Sequence, residues 1–252
     1  SKIGLVSYED EYGRITIMTS KGKTIVDGGK SWDLDVKADE TTGFYNVGWK
    51  ELSGSFVDIT SDISVGSIHG LLDMRDQRIN SIIADFDKLA ETIISEVNSL
   101  HKTGYTLNHN PSDPNPDGIA FFKEITGDYS KDIDISSLVK SNLKNIASAS
   151  EVDESGKPIG NEIALNIAAL MEKKLFDDNS STFVNYTSSI TNKIGQLSRG
   201  AADAAQYSED TMNIMKKQRE AVSGVSLDEE MANLIKYQYA FQAASRLFTV
   251  AD

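Results

Sequence analysis

An apolar residue recurs every seven positions between residues 72 and 100, and this recurrence constrains the fold more than any other sequence feature. The series consists of Leu72, Ile79, Phe86, Ile93 and Leu100, with Ile82 and Leu89 at the second seam position. Such a heptad pattern predicts one helix of roughly 33 residues, about 50 Å long, that ends near Gly104. Single globular domains seldom need a helix of that length, so the seam indicates packing against further helices.

Residues 1 to about 62 alternate between apolar and polar side chains with a period of two. In the clearest run, residues 31–37, the side chains of Trp32, Leu34 and Val36 lie on one face. Shorter runs of the same kind occupy residues 14–17, 44–47 and 55–59, with glycine-containing turns between them. This pattern predicts an antiparallel sheet with one face in solvent.

The remainder of the chain predicts loops and then further helices. Residues 108–118 hold three of the four prolines, residues 132–135 alternate like a short strand, and residues 151–160 form an acidic connection. Helical spacing begins again at Asn161 and continues to Asp252, where it stops in mid-pattern. We therefore expect the chain to be a piece of a longer protein.

We predict an α+β fold in which long helices form a rod-like bundle and an antiparallel β-rich part lies outside it. The predicted parts are a β-rich outer region at 1–65, a long helix at 66–107, a loop and mixed β segment at 108–160, and a helical region at 161–252 that ends in a coiled-coil helix.

Charge and composition exclude several classes of function. The chain carries 25 Lys and Arg against 38 Asp and Glu, a net charge of −13, which argues against a nucleic-acid partner because phosphates would be repelled. Cysteine is absent, so disulfides, thiolate zinc sites and a cysteine nucleophile are excluded. No apolar run reaches about 18 residues, so we expect no membrane insertion, and we recognise no cleavable signal.

The sequence contains no recognisable catalytic motif. His69, His101 and His109 lack the spacing of a zinc hydrolase, and we expect them to be solvated or to cap helices. Neither a nucleophile elbow nor a phosphate-binding glycine loop is present. We therefore predict that the protein is not an enzyme and needs no cofactor.

One segment matches the pattern of a calcium loop. Asp113, Asn115, Asp117 and Glu124 have the required spacing, and Gly118 supplies the sharp turn. The context is poor because two prolines stiffen the loop and Phe121 stands where an oxygen ligand is expected. An exposed Asp/Asn/Pro turn is the favoured interpretation, with a calcium-dependent exported binding module as the alternative.

Residues 223–246, which read SGVSLDEEMANLIKYQYAFQAASR, resemble the C-terminal signature of bacterial flagellar axial proteins. The Leu-Asp-Glu-Glu variant is similar to the family of the first hook-associated protein, which joins hook to filament. Residues 70–76 and the exit Asn98-x-x-His101-x-x-Gly104-Tyr105 resemble the central helix of the same family. The resemblance covers most of residues 70–252, and residues 1–69 are compatible with it but unspecific.

The resemblance implies a structural flagellar protein that is exported without a cleaved signal and lies outside the cell. Its implied partners are identical copies of itself, the hook protein, a second junction protein or flagellin, and an export chaperone at the C-terminal helix. A hook or rod protein remains the alternative within the flagellum, and an enzyme inserted between the helical parts is ranked last.

The final helix carries the residues that we predict to form the assembly interface. The seam consists of Leu227, Leu234, Tyr237, Phe241, Ala244 and Phe248, and Gln238 and Gln242 lie beside it. From Leu234 onward these positions alternate at spacings of three and four, as in a coiled-coil seam. Ordinary packing within one domain is the alternative explanation of such a stripe.

Overall fold

A computed structural model describes residues 3–51, 53–223 and 227–251, with side chains omitted for 222–229 and 247–251. The strands are β1 (Leu5–Glu9), β2 (Ile15–Thr19), β3 (Thr24–Asp27), β4 (Lys30–Ser31), β5 (Leu34–Ala38), β6 (Tyr45–Lys50), β7 (Phe56–Asp58), β8 (Tyr105–Thr106), β9 (Ala147–Ala149), β10 (Glu151–Val152) and β11 (Pro158–Ile159). The helices are α1 (Ser67–Asp73), α2 (Ile79–His101), α3 (Tyr129–Asp132), α4 (Ser137–Ser141), α5 (Glu162–Ala169), α6 (Phe183–Ser223) and α7 (Leu227–Ala251). The predicted α+β class is confirmed.

The chain divides into two compact units, residues 1–190 and 191–252. All the sheets lie in the first unit, and the second is built from the rest of α6 and from α7. The domain boundaries predicted after residues 65, 107 and 160 stay predictions, as does the rod-like bundle. No helix in the described ranges combines the length and apolarity that crossing a membrane requires.

The first seven strands form two antiparallel sheets. β1 to β4 pair in sequence order, and β5 to β7 form a second sheet in the same manner. The turn between β5 and β6 shows why the chain reverses there: the Asp39 carboxylate accepts the N–H groups of Thr41 and Thr42, and Gly43 adopts a φ of 71°. A short polar side chain followed by glycine favours such a reversal.

The strand predicted over residues 31–37 is divided between the two sheets. Ser31 ends β4, Leu34 begins β5, and Trp32 lies between them. Trp32 packs against a core of Ile25, Trp49 and Ile59 that joins the sheets, whereas Leu34 and Val36 are exposed. The single buried face expected from the alternation was therefore wrong, because the chain leaves one sheet in the middle of the run.

The predicted long helix is present, but it is not uniform. Residues 67–101 are helical throughout, and Met74–Arg78 forms a π-helical turn between α1 and α2. The amide of the Asn80 side chain donates to two carbonyls of this turn, those of Arg75 (3.3 Å) and Asp76 (3.0 Å). Such turns frequently mark functional positions in helices.

Gly104 follows the end of α2 as predicted, but its role differs from that of a helix-ending glycine. A Cβ atom at this position would lie 2.8 Å from Ile163 Cγ1 and 2.9 Å from the Ala147 Cβ. Gly104 is not among the residues of positive φ, so it is not a left-handed helix cap. Glycine is required here because α5 and β9 approach the backbone closely.

Short helices and strands pack against α2 in the rest of the first unit. α3 and α5 contact α2, and β8 pairs with β9. The strand predicted at 132–135 is reduced to one bridge between Ile135 and Phe122, because Asp132 ends α3. Phe176 stacks on Tyr186 with ring centroids 4.2 Å apart and so fixes the start of α6.

Candidate functional site

The C-terminal end of α2, called the exit of α2 below, carries a cluster of buried polar side chains. Ala90, Ile94, Asn98 and His101 share the buried face of the helix. The Asn98 side chain forms two hydrogen bonds with one residue: its Nδ2 donates to the Phe122 carbonyl at 3.0 Å, and its Oδ1 accepts the Phe122 N–H at 2.8 Å. Both polar atoms of the amide are thereby satisfied, as burial requires.

His101 joins three segments at the same exit. Its ring Nε2 accepts the Ala147 N–H at 2.9 Å, so the proton of the neutral imidazole is assigned to Nδ1, which faces the Ile119 carbonyl at 2.7 Å. The residue is 1 % exposed. The expectation of a solvated or capping histidine was wrong for His101, because both ring nitrogens bond backbone that sequence spacing does not bring near.

His109 is also buried, although its loop is exposed. Its Nδ1 lies 3.0 Å from Asp117 Oδ1, and its Nε2 lies 3.0 Å from the Asp113 carbonyl. The second carboxylate oxygen of Asp117 accepts the Thr106 N–H at 2.7 Å. The Asp117 carboxylate therefore holds the loop against β8, and the expectation of a solvated histidine was wrong here as well.

The other residues of the predicted calcium loop also bond protein groups. The Asp113 carboxylate accepts the backbone and side-chain N–H groups of Asn115, and the pKa of Asp113 is lowered chiefly by the backbone bond. Glu124 pairs with Lys102, whose hydrogen bond lowers the pKa of Glu124. Among the described residues, no three His, Asp or Glu side chains are arranged to hold a metal ion. The calcium interpretation stays an untested prediction.

The predicted interface on α7 is a row of exposed side chains. Leu234 is 57 % exposed, Tyr237 73 % and Phe241 75 %, and together with Gln238 and Gln242 they line one shallow groove along the helix. Ala244 is exposed on the same helix. None of the side chains described in residues 230–246 is buried. Leu227 and Phe248, the ends of the predicted seam, lie outside the residues whose side chains are described.

A second apolar stripe on α7 was missed at the level of sequence. Met231, Ile235 and Tyr239 recur every four residues and are all exposed. At about 100° per residue this stripe lies roughly a third of a turn from the predicted seam. The spacing of four residues between these apolar side chains could have indicated the stripe. It was not considered because the predicted seam by itself explained the heptad pattern.

The heptad seam of α2 is a different face from the one that the chain buries. Ile79 and Phe86 on the seam are exposed, and Ile93 and Leu100 are half-buried. The face carrying Asn98 and His101 is the one that packs inside the first unit. The apolar seam thus remains accessible along the first half of α2, as it does along α7.

Comparison with known proteins shows that the first half of the chain and its last 36 residues are similar to flagellar proteins. Residues 1–117 match the model of the flagellar hook-associated protein FlgK helical domain, and residues 217–252 match that of the flagellar basal body rod FlgEFG protein C-terminal region. The chain is 27 % identical over 173 residues to flagellar hook-associated protein 1 of Bacillus subtilis (strain 168). That alignment covers 68 % of this chain and 33 % of the relative, so it spans about a third of the relative's length.

Proposed function

Because the chain belongs to the family of flagellar hook-associated protein 1, we propose that it is a structural part of the bacterial flagellum. It joins the hook to the filament by assembling through its helical seams. The proposal rests chiefly on one observation: the segment that matches the rod-protein C-terminal model carries a continuous row of exposed apolar side chains.

The energetics of that row favour assembly. Burying a Leu, Tyr or Phe side chain that is mostly exposed contributes about 1.5–3 kcal/mol. Leu234, Tyr237 and Phe241 together therefore supply several kcal/mol per helix, which identical copies repeat around a ring or tube. The row is narrow and follows heptad spacing, so a second helix is the partner that fits it.

The partners of the proposed junction follow from its position between two polymers. Identical copies pack laterally through the helical seams, the hook protein lies on one side, and a second junction protein or flagellin lies on the other. An export chaperone covers the C-terminal helix before assembly. The assembled protein is extracellular, and a layer of helices that slide slightly transmits torque between the hook and the filament.

The proposed role involves no catalysis. The ring nitrogens of His101 and His109 are engaged with backbone groups and a carboxylate. The acidic surface, with a net charge of −13, makes neighbouring copies repel each other. Added salt is therefore expected to strengthen assembly, because it screens that repulsion.

The proposal is tested by complementation in cells that lack their own hook–filament junction protein. The native gene is expected to restore filament attachment and motility, and the same gene with Phe241→Asp is expected to restore neither. A carboxylate in the apolar row carries a desolvation cost when a partner helix covers it. Filaments are counted by electron microscopy, and secreted protein in the medium is measured to separate failed assembly from failed export.

The matched control is Lys236→Asp, five residues earlier on the same helix. Lys236 is exposed and lies about 140° around the helix from Phe241, outside both apolar stripes. Lys236→Asp should retain motility, and Phe241→Leu should restore it. Full motility of the Phe241→Asp strain would remove the row on α7 from the interface, and failure of the secreted wild-type protein would overturn the junction function.

A further inference from the structure

The two sheets and the long helix meet at a single glycine. Val65 is tied to the sheets, because its carbonyl accepts the Gly4 N–H at 3.2 Å. The part of the chain up to Val65, which holds β1 to β7, is called the β-region. Helix α1 begins at Ser67, so Gly66 is the residue that connects the β-region to the helix. Gly66 has φ 93° and ψ 175°, a conformation almost confined to glycine. Rotation about this residue changes the angle between the sheets and the helix.

The chain before Gly66 is fastened to the sheets by an ionic cluster. Asp62 is 3 % exposed, and its carboxylate oxygens lie 3.6 Å from Lys21 Nζ and 3.3 Å from Lys23 Nζ. Asp62 Oδ2 accepts no hydrogen bond from the described residues, so its contact with Lys23 is electrostatic. The lysines donate instead to the carbonyls of Ser61 and Asp58. The segment that leads to Gly66 therefore moves with the sheets.

Two of the hydrogen bonds made by side chains of the helix cross Gly66 and connect the helix to the β-region. His69, only three residues after Gly66, has its Nδ1 2.9 Å from the Ile63 carbonyl. Arg75 Nη1 donates to the Tyr45 carbonyl at 2.7 Å, about 13 Å farther along the helix than Gly66. The Arg75 contact has the longer lever arm, so it limits rotation about Gly66 more strongly.

Contacts with Phe44 and Asp76 orient the Arg75 side chain toward the Tyr45 carbonyl. Arg75 lies in that turn, its guanidinium is 5.1 Å from the centroid of the Phe44 ring, and it forms a bidentate pair with Asp76. The hydrogen bond that Arg75 donates to the Asp76 carboxylate raises the pKa of Arg75, so the guanidinium remains charged. Phe44 and Tyr45 lie at the start of β6, thirty residues earlier in the chain than Arg75. The contact is therefore specific and long-range.

We propose that Gly66 is a hinge between the β-region and the long helix, and that the Arg75–Tyr45 contact holds this hinge at one angle. The sheets then follow the helix as one body, and loss of the contact allows the β-region to rotate. The proposal rests on contacts within the first unit alone and does not depend on the junction role.

The absence of cysteine permits a direct test by double electron–electron resonance on the whole 252-residue chain. Spin labels are attached to cysteines introduced at Glu40, in the β5–β6 turn, and at Ala84, on α2; both residues are exposed. The unaltered hinge should give one narrow distance distribution. Arg75→Ala should broaden that distribution at least about twofold, as expected for rotation about a few hinge residues, and His69→Ala should broaden it less.

Arg78→Ala is the matched control, because it removes an arginine of the same π-helical turn. Arg78 pairs with Asp73 on the helix itself, so its loss should leave the distribution narrow. A second label pair at Glu11 and Glu40 lies within the β-region and should stay narrow in every variant, which separates rotation from unfolding. An unchanged Glu40–Ala84 distribution in Arg75→Ala, or equal broadening in Arg78→Ala, would overturn the proposal.

Discussion

The exit of α2 and the surface of α7 reverse the usual placement of polar and apolar side chains. At the exit, Asn98 and His101 are buried, and each of their polar side-chain atoms bonds the backbone of another segment. Along α7, Tyr237 and Phe241 are about three-quarters exposed. Buried polar groups are tolerated only when they are fully bonded, whereas a row of exposed apolar groups marks an interaction surface. The hydrogen bonding of the exit is complete within this chain, whereas the proposed assembly would cover the exposed row of α7 with a partner helix.

The largest expected difference between the two regions is in stability. His101→Leu removes both bonds of the imidazole and leaves the Ala147 N–H and the Ile119 carbonyl unpaired in the interior. We expect it to lower the free energy of unfolding by about 2–5 kcal/mol, since each unpaired buried group costs about 1–3 kcal/mol. Tyr237→Ala, on α7, should change the same quantity by no more than about 0.5 kcal/mol.

Urea unfolding of the isolated chain, followed by far-ultraviolet circular dichroism, measures both variants under the same conditions. The midpoint for His101→Leu should shift to lower urea while that for Tyr237→Ala stays near the wild type. If both variants shifted equally, the distinction between a completed region and one that awaits a partner would be lost.

The sequence predicted the long helices and the strands β2, β6 and β7 well, because their apolar periods are strong. The heptad series beginning at Leu72 marks a helix that the structure extends from residue 67 to 101. The spacing of Leu234, Tyr237 and Phe241 predicted one face of α7, and the structure leaves that face exposed. Local pattern suffices in these cases since each helix or strand is defined by its own side chains.

The exit of α2 and the π-helical turn were beyond such reasoning. His101 contacts Ala147 and Ile119, and nothing in the periodicity brings these residues together. The π-helical turn contains Arg75, which bonds the distant Tyr45 carbonyl. A period of seven or of two carries no information about long-range partners of this kind.

Two glycine substitutions, one at the exit of α2 and one on α1, should change the free energy of unfolding in opposite directions and by smaller amounts. Gly104→Ala places a Cβ atom 2.8 Å from Ile163 Cγ1 and 3.1 Å from the Ala149 carbonyl oxygen. We expect it to lower the free energy of unfolding by about 1–3 kcal/mol through overpacking. Gly70→Ala meets nothing within 4 Å on the exposed surface of α1. It should raise the free energy of unfolding by about 0.5–1 kcal/mol because alanine favours helix.

Thermal denaturation of the two variants checks these opposite signs in one experiment. Gly104→Ala should melt at a lower temperature than the wild type, and Gly70→Ala at a higher one. A harmless Gly104→Ala would mean that the neighbours of the exit shift easily, and the exit would then be less rigid than its hydrogen bonds indicate.

The smallest expected effect concerns the contact between α2 and α3, where the carboxylate of Asp87 is the acceptor. Ser130 donates its hydroxyl and its backbone N–H to Asp87 Oδ1, at 2.5 Å and 2.7 Å, and the hydroxyl bond, followed by the backbone bond, lowers the pKa of Asp87 from its ordinary value of 3.8. A lowered folded-state pKa means that the contact stabilises the fold above about pH 4. That stabilisation is lost as the pH falls through the folded-state value. Asp87→Asn should therefore cost a few tenths to about 1 kcal/mol near pH 6.

The measurement is the melting temperature of the wild type and of Asp87→Asn at a series of pH values from 6 to 3. The difference between them should be constant at the upper end and shrink below about pH 4, because the wild-type carboxyl becomes protonated there. Ser130→Ala keeps the backbone donor, so it should show a smaller difference with the same pH dependence. A difference that stays constant down to pH 3 would show that the ionised form of Asp87 contributes nothing to the packing of α3 on α2.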